Sequence, residues 1–221
     1  MKKLFLLLLC VCCLTAHAQF SNISKGDIID INGVKGIVYQ VDESGSHGHV
    51  MSITGLRGMD DAWCKNKKIC VDMPLMTDET NGKANTQKVL DFVAEKNLSL
   101  SDFPAFEWCK KLGEGWYIPS QKELENFINF WLGNEQDIDW DGDEETENVI
   151  DSDKPYYRII NQKIVEAGGI PFLNGVFTST VNTDDKVFVF MFNRAKNTWK
   201  FSRMNKFRMG KYMVIRAFYE F

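Results

Sequence analysis

The chain has 221 residues, 44% of them hydrophobic and 25% charged, with a formal net charge of −4. These are the proportions of a globular protein, and they exclude a collagen, a disordered tail and a polytopic membrane protein. Met1-Lys2-Lys3 is a short basic start, Leu4 to Leu14 is an apolar run, and Ala16-His17-Ala18 puts small residues where a signal peptidase reads. The pattern predicts a signal peptide over 1–18, because the run is too short to span about 30 Å of hydrocarbon. Leu9 stands before Cys10 where a lipobox wants a small residue, so cleavage before Gln19 is the better reading. No second long apolar segment follows. Residues 19–221 are then expected to form one domain, exported to the periplasm, the outer surface or the medium, and not integral to a membrane. Losing Lys2 and Lys3 leaves 24 basic against 30 acidic residues, a net charge of −6. With export, that charge argues against a nucleic-acid partner.

In the mature chain, Gly26 to Ile31 reads as a strand and Asn32-Gly33 as a two-residue hairpin turn. Lys35 to Val41 alternates, with Ile37, Tyr39 and Val41 on one face of a half-buried strand. After a turn at Glu43 to Ser46, His47 to Ile53 completes an antiparallel meander. Gly55 to Gly82 is irregular. Thr86 to Asn97 is helical, with Val89, Phe92 and Val93 at helical spacing. Ser101-Asp102 is placed to cap a second helix that runs through Leu112 and stops at Gly113. Ser120 and Glu123 form a capping box before a helix with Leu124, Phe127, Ile128 and Trp131 on one face. Glu135 to Asp153 is an acidic loop. Tyr156 to Ala167 is a further helix, with Ile159, Ile160, Ile164 and Val165 and a Gly168-Gly169 stop. Strands follow at 176–181, 186–192, 198–203 and 209–219. The order of strands, helices and strands predicts an α+β fold with antiparallel sheets, two or more helices and long irregular loops.

Three cysteines remain after export: Cys64, Cys70 and Cys109. An exported compartment permits disulfides, and Cys64 with Cys70 could close a small loop. Cys109 lies on the apolar side of a helical pattern and reads as core. These three form no Cys-x-x-Cys knuckle, which argues against zinc with His47 and His49.

The segment Glu107-Trp108-Cys109-Lys110-Lys111-Leu112-Gly113-Glu114-Gly115-Trp116-Tyr117-Ile118-Pro119-Ser120-Gln121-Lys122-Glu123-Leu124 resembles a motif of exported bacterial C-type-lectin-like domains. That family includes the C-terminal domain of a collagen-like adhesin and is distantly related in fold to formylglycine-generating enzymes. Gly175 to Thr180 is similar to its Tyr/Phe-x-Ser-Ser/Thr strand, Val214 to Phe218 to its closing strand, and Val34 to Asp42 to an N-terminal hairpin preface. The resemblance implies a C-type-lectin-like fold over 19–221. Formylglycine-generating chemistry uses a cysteine pair near the chain end, and no cysteine follows Cys109. The residues also have a physical reading of their own. Trp116 packs a large ring at a helix exit, Pro119 ends strand pairing, and Ser120 with Glu123 sets the next helix. Arg216, between apolar neighbours, reads as a partly buried ion-pair partner.

Two charged segments are the candidate sites. Asp139, Asp141, Asp143 and Glu144 lie around Trp140 and Gly142, and alternate carboxylates on a turn can converge on calcium. The spacing is not that of an EF-hand, and the plainer reading is a solvated acidic loop. No other cofactor is expected. If the loop holds a metal, Trp140 is placed to stack on a sugar ring. From Arg194 to Arg216 the chain carries eight basic residues and no acid, with Trp199, Phe201 and Phe207 between them. Trp199, Lys200, Arg203 and Arg208 are the candidate contacts to an acidic or sulfated polysaccharide. The alternative is a solvated strand face that balances the acidic loop. No nucleophile elbow, zinc-protease helix or phosphate loop is present, so an enzyme of unrecognised type ranks last. The expected function is a non-catalytic binding module for a glycan or an envelope protein. The alternative is a structural or assembly subunit of a surface appendage.

Overall fold

The computed structural model describes residues 22–57, 63–134, 148–149, 156–183, 186–206 and 213–221. Strand β1 (Ile28–Ile31) turns into β2 (Val34–Val41) through Asn32 and Gly33, both at positive φ (53° and 89°). Two left-handed residues in succession match the right-handed twist of the hairpin, and Gly33 adopts that conformation without steric cost. Strand β3 (Gly48–Ser52) follows, and β4 (Leu56–Arg57) and the short helix α1 (Lys67–Val71) lie in the stretch expected to be irregular.

Helix α2 (Gly82–Glu95) starts four residues before the predicted Thr86, because the Asn81 side chain accepts from the Ala84 N–H and caps it there. The expected cap at Ser101-Asp102 is corrected. Ser99 instead caps a single 3₁₀ turn, Leu100–Asp102, and α3 (Pro104–Leu112) begins with Pro104 in its first turn. Helix α4 (Gln121–Leu132) has both bonds of the capping box, and Leu124, Phe127, Ile128 and Trp131 are buried as the spacing predicts. Gly82 lies against this corner. A Cβ there would meet the Ile118 carbonyl, the Ser120 N–H and the Glu123 carboxylate. After β5 (Asn148–Val149), helix α5 (Tyr156–Glu166) buries Tyr157, Ile160, Asn161 and Ile164. Ile159 and Val165, named from sequence beside Ile160 and Ile164, are exposed, since Ile159 falls on the face opposite the buried arc and Val165 just beyond its edge.

Strands β6 (Gly175–Thr183), β7 (Lys186–Asn193) and β8 (Thr198–Asn205) form a meander. The last predicted strand, 209–219, is two strands among the described residues: β9 (Met213–Ile215) and β10 (Phe218–Glu220). They belong to different sheets. One sheet has the order β1-β2-β3-β10, and the other β4-β9-β6-β7-β8-β5. Pairing is antiparallel except between β6 and β9. The fold is therefore α+β, with helices and two antiparallel-rich sheets. No helix among the described residues is long and apolar enough to cross a membrane.

Arg216 stands where the chain switches sheets, and among the described residues no carboxylate pairs with it. The side chain is 1% exposed, and its guanidinium donates to the carbonyls of Ser52, Ile53 and Thr54 (3.3, 2.8 and 3.1 Å) and of Ile170 and Pro171 (2.5 and 3.3 Å). Carbonyl dipoles replace the carboxylate expected from sequence. Burial, with Arg57 adding, pulls the Arg216 pKa down to about 9, so it remains a cation at neutral pH.

The core has two clusters. One gathers α2, α3 and the Trp63–Met76 segment, and the other gathers α4, α5, Phe172, Phe190, Trp199 and Phe201. Strand β2 sends Val38 into the first and Ile37 and Tyr39 into the second, so it is buried on both faces rather than half-buried. Trp116 is buried and packs on Tyr219 at 5.3 Å. Tyr117 pairs with Phe218 through two backbone bonds and donates its hydroxyl to Glu123 at 2.8 Å.

Candidate interaction sites

Strand β1 lies at the edge of its sheet. Its register on β2 pairs Ile31 with Val34 across the turn, Asp30 with Lys35, Ile29 with Gly36 and Ile28 with Ile37. Antiparallel pairs alternate between hydrogen-bonded and non-hydrogen-bonded, and the Val38 N–H bond to the Asp27 carbonyl (2.9 Å) sets the phase. The N–H and C=O groups of Ile28 and Asp30 therefore point away from β2. Among the described residues no segment pairs with them. Ile28 and Ile29 are half-buried and Asp30 is exposed. A short edge carrying an acidic residue resists indiscriminate pairing, but it still presents four backbone groups to a strand that fits.

The second candidate is a cleft of about 400 Å³ at the turn end of the β7–β8 hairpin. Met191, Phe192, Trp199 and Met213 supply its apolar lining, and Asn174, Asn193, Arg194 and Lys200 its polar groups. The hairpin register explains the grouping, since Phe192 faces Trp199 and Met191 faces Lys200 across the strands. The volume is at the lower end of small-ligand sites.

The structure redistributes the residues proposed from sequence. Trp199 and Lys200 line the same cleft, but Trp199 is 5% exposed and its ring packs on Phe190 and Phe201 at 6.0 and 5.9 Å. It is therefore a core ring with an edge on the cleft, not the exposed stacking platform expected. The alternation of β8 explains this, because Trp199 and Phe201 share the face that meets the second cluster. Arg203 does not line the cleft. Its guanidinium lies over the ring of its cross-strand neighbour Phe188, 5.4 Å from the centroid. The basic face expected to be solvated is so only in part: Arg194 and Lys196 are exposed and Lys200 and Arg203 half-buried, but Lys206 and Arg216 are buried. Trp140, Arg208 and the acidic set Asp139, Asp141, Asp143 and Glu144 lie outside the described residues. Among the described residues no group of three or more His, Cys, Asp or Glu gathers to hold a metal. His47 turns to Asp42 and Ser46 while His49 packs near Tyr39, so the two imidazoles serve different contacts. The Asp42 carboxyl, held by the Ser44 hydroxyl and by the backbone N–H groups of Ser46 and His47, has its pKa lowered to about 2.

The Thr178-Ser179-Thr180 run is a buried polar hub. Ser179 donates from N–H and hydroxyl to the Pro119 carbonyl (2.6 and 3.1 Å), Thr180 donates to the Asp78 carbonyl (3.1 Å), and Thr178 donates to the Phe188 carbonyl (2.9 Å). The Gln121 N–H closes on the Thr180 hydroxyl at 3.0 Å. These hydroxyls tie β6 to the start of α4 and to the loop before α2, which is a structural task.

No protein-family model matches the chain, and no curated protein matches it. Among solved structures it is similar to a fimbrial protein from Bacteroides ovatus ATCC 8483, with a TM-score of 0.44 and 14% identity. The match covers 79% of this chain and 35% of that one, so the chain spans about a third of the fimbrial protein's length. At that distance the likeness assigns neither a family nor an activity.

Proposed function

We propose that the chain is an exported, non-catalytic protein of the cell envelope that works as an assembly subunit, with a strand of a second copy adding to the edge of β1. The open edge carries this reading. Ile28 and Asp30 present two N–H and two C=O groups beside half-buried isoleucines, and β-strand addition uses such an edge. The basic start, apolar run and Ala16-His17-Ala18 support export. The C-type-lectin-like reading of the fold belongs to the same proposal. It is supported by the Trp116–Leu124 segment, which has the packing and capping its motif calls for, and by the first and last strands sharing one sheet.

The test is sedimentation of the exported protein over a wide range of concentration. The wild type is expected to associate, Ile28→Pro to remain monomeric, and Ile28→Ala to associate as the wild type does. Proline removes the outward N–H without touching the β2 ladder, while alanine removes only side-chain packing. A wild type that stays monomeric throughout, or association that survives in a folded Ile28→Pro protein, would sink the reading.

The cleft favours a second reading, recognition of an anionic glycan. Arg194 and Lys200 beside an apolar lining and two asparagine amides match a ring bearing carboxylate or sulfate. On a glycan array, Arg194→Gln with Lys200→Gln is expected to weaken binding about tenfold or more, as loss of charged hydrogen bonds does. Binding untouched by the double substitution would remove the cleft from the argument. A parallel run with a calcium chelator tests Asp139, Asp141, Asp143 and Glu144 as a metal site.

A further inference from the structure

The segment from Trp63 to Val71 is built around two thiols. Cys64 and Cys70 are six positions apart, both are buried, and each thiol perturbs the other. The arrangement follows from the helix start. Asn66 caps α1, its carbonyl accepts both the Cys70 N–H (3.0 Å) and the Cys64 thiol (3.3 Å), and that shared acceptor holds the two cysteines side by side. The segment is anchored at its other end. Trp63 donates its indole N–H to the Thr178 carbonyl at 3.4 Å and meets Phe106 edge-on at 4.9 Å. Buried Lys206 brings a positive charge to the same place, with its ammonium 5.5 Å from the Trp63 ring centroid. Cys109, in α3, is the contrasting case, a buried thiol whose pKa burial alone pushes up.

We propose that Cys64 and Cys70 are a disulfide-forming pair, oxidised by thiol–disulfide exchange as the chain folds outside the cytoplasm, and that the bond staples the Trp63–Val71 segment. The oxidant is a disulfide, R–S–S–R. The Cys64 thiolate attacks one of its sulfurs and expels R–S⁻. The Cys70 thiolate then attacks the Cys64 sulfur of the mixed disulfide and expels the second R–S⁻. Two protein thiols lose two protons and two electrons, one S–S bond forms, and the oxidant leaves as two thiols. Cys64 is the first nucleophile. The neighbouring Cys70 thiol and the Lys206 charge pull its pKa down, while the Cys64 sulfur and burial push that of Cys70 up. Cys109, set apart in α3, has no cysteine among the partners that shift its pKa and stays reduced.

The sequence makes the test direct. Lys65, Lys67 and Lys68 lie between the two cysteines, so trypsin separates Cys64 (residues 58–65) from Cys70 (residues 69–83). The full chain is folded with oxidised glutathione, free thiols are alkylated, and the protein is digested without reductant. The expected result is one linked peptide pair that falls apart on reduction, with Cys109 alkylated. Reduction of the intact protein is expected to lower the Tm by roughly 5 °C, as for a short closed loop. Alkylation of both Cys64 and Cys70 in that preparation, or linkage of either to Cys109, would overturn the assignment. The measurement is independent of whether β1 or the cleft meets a partner.

Discussion

Arg216→Met is expected to lower folding stability by about 3–5 kcal/mol, since carbonyls that lose their donor cost roughly 1–3 kcal/mol each. The loss comes from the carbonyls rather than from the charge. The Ile53 carbonyl also accepts the Ile170 N–H, and the Thr54 carbonyl also accepts the Ser52 hydroxyl. The Ile170 and Pro171 carbonyls have the Arg216 guanidinium as their donor and would be stranded. Position matters as much as chemistry. Residues 216 and 217 join β9 in one sheet to β10 in the other, and the same guanidinium holds the end of β3 and the loop after α5. Arg216→Lys should fall between wild type and methionine, since one ammonium cannot span both carbonyl groups with the fork of a guanidinium. Urea unfolding of the three proteins checks the order. A methionine variant within about 1 kcal/mol of wild type would mean that water or other donors satisfy those carbonyls.

This residue also marks the limit of what the sequence made legible. Local signals were readable where the physics is local. The Asn32-Gly33 turn needs two left-handed residues in succession, the Ser120/Glu123 box needs only its own four positions, and the α4 face follows from helical spacing. What failed depends on contacts distant in sequence. Alternation in β8 says that Trp199 and Phe201 share a face, but not that this face meets Phe190 and the second cluster. Basic residues between aromatic ones suggested a solvated stripe, yet Lys206 and Arg216 are buried beside Trp63 and a ring of carbonyls that spacing cannot reveal. The Thr178-Ser179-Thr180 run was visible as a motif but not as a hub, because its acceptors are the Pro119 and Asp78 carbonyls, far back in the chain. The candidate surfaces are hardest of all to see. An open edge at β1 is a property of strand order, and the cleft depends on a hairpin register that brings Phe192 opposite Trp199.

Trp131→Ala is expected to cost about 3–5 kcal/mol, as truncation of a core aromatic does. The ring is buried between Tyr157, Phe172, Phe190 and Phe192, with centroids 5.4, 5.1, 6.2 and 5.7 Å away. These neighbours come from α5, the loop after it and β7, so one indole links the inner face of α4 to the larger sheet. Helix α4 and the β7 strand cannot both close on an alanine without moving, and most of the cavity would remain. Trp131→Phe should cost far less, about 1 kcal/mol. Among the described residues the buried indole N–H has no acceptor, so phenylalanine gives up contact area but also removes an unpaired donor. Thermal unfolding of both variants separates the two contributions. Equal losses would show that the N–H has a partner, and a small loss for alanine would place the ring outside the core. The same pair of variants bears on function. Phe192 packs on Trp131 and also lines the cleft, whereas β1 is in the other sheet. If the cleft is the working surface, Trp131→Ala should weaken glycan binding at temperatures where the protein is still folded. If assembly runs through β1, association should survive the substitution under those conditions.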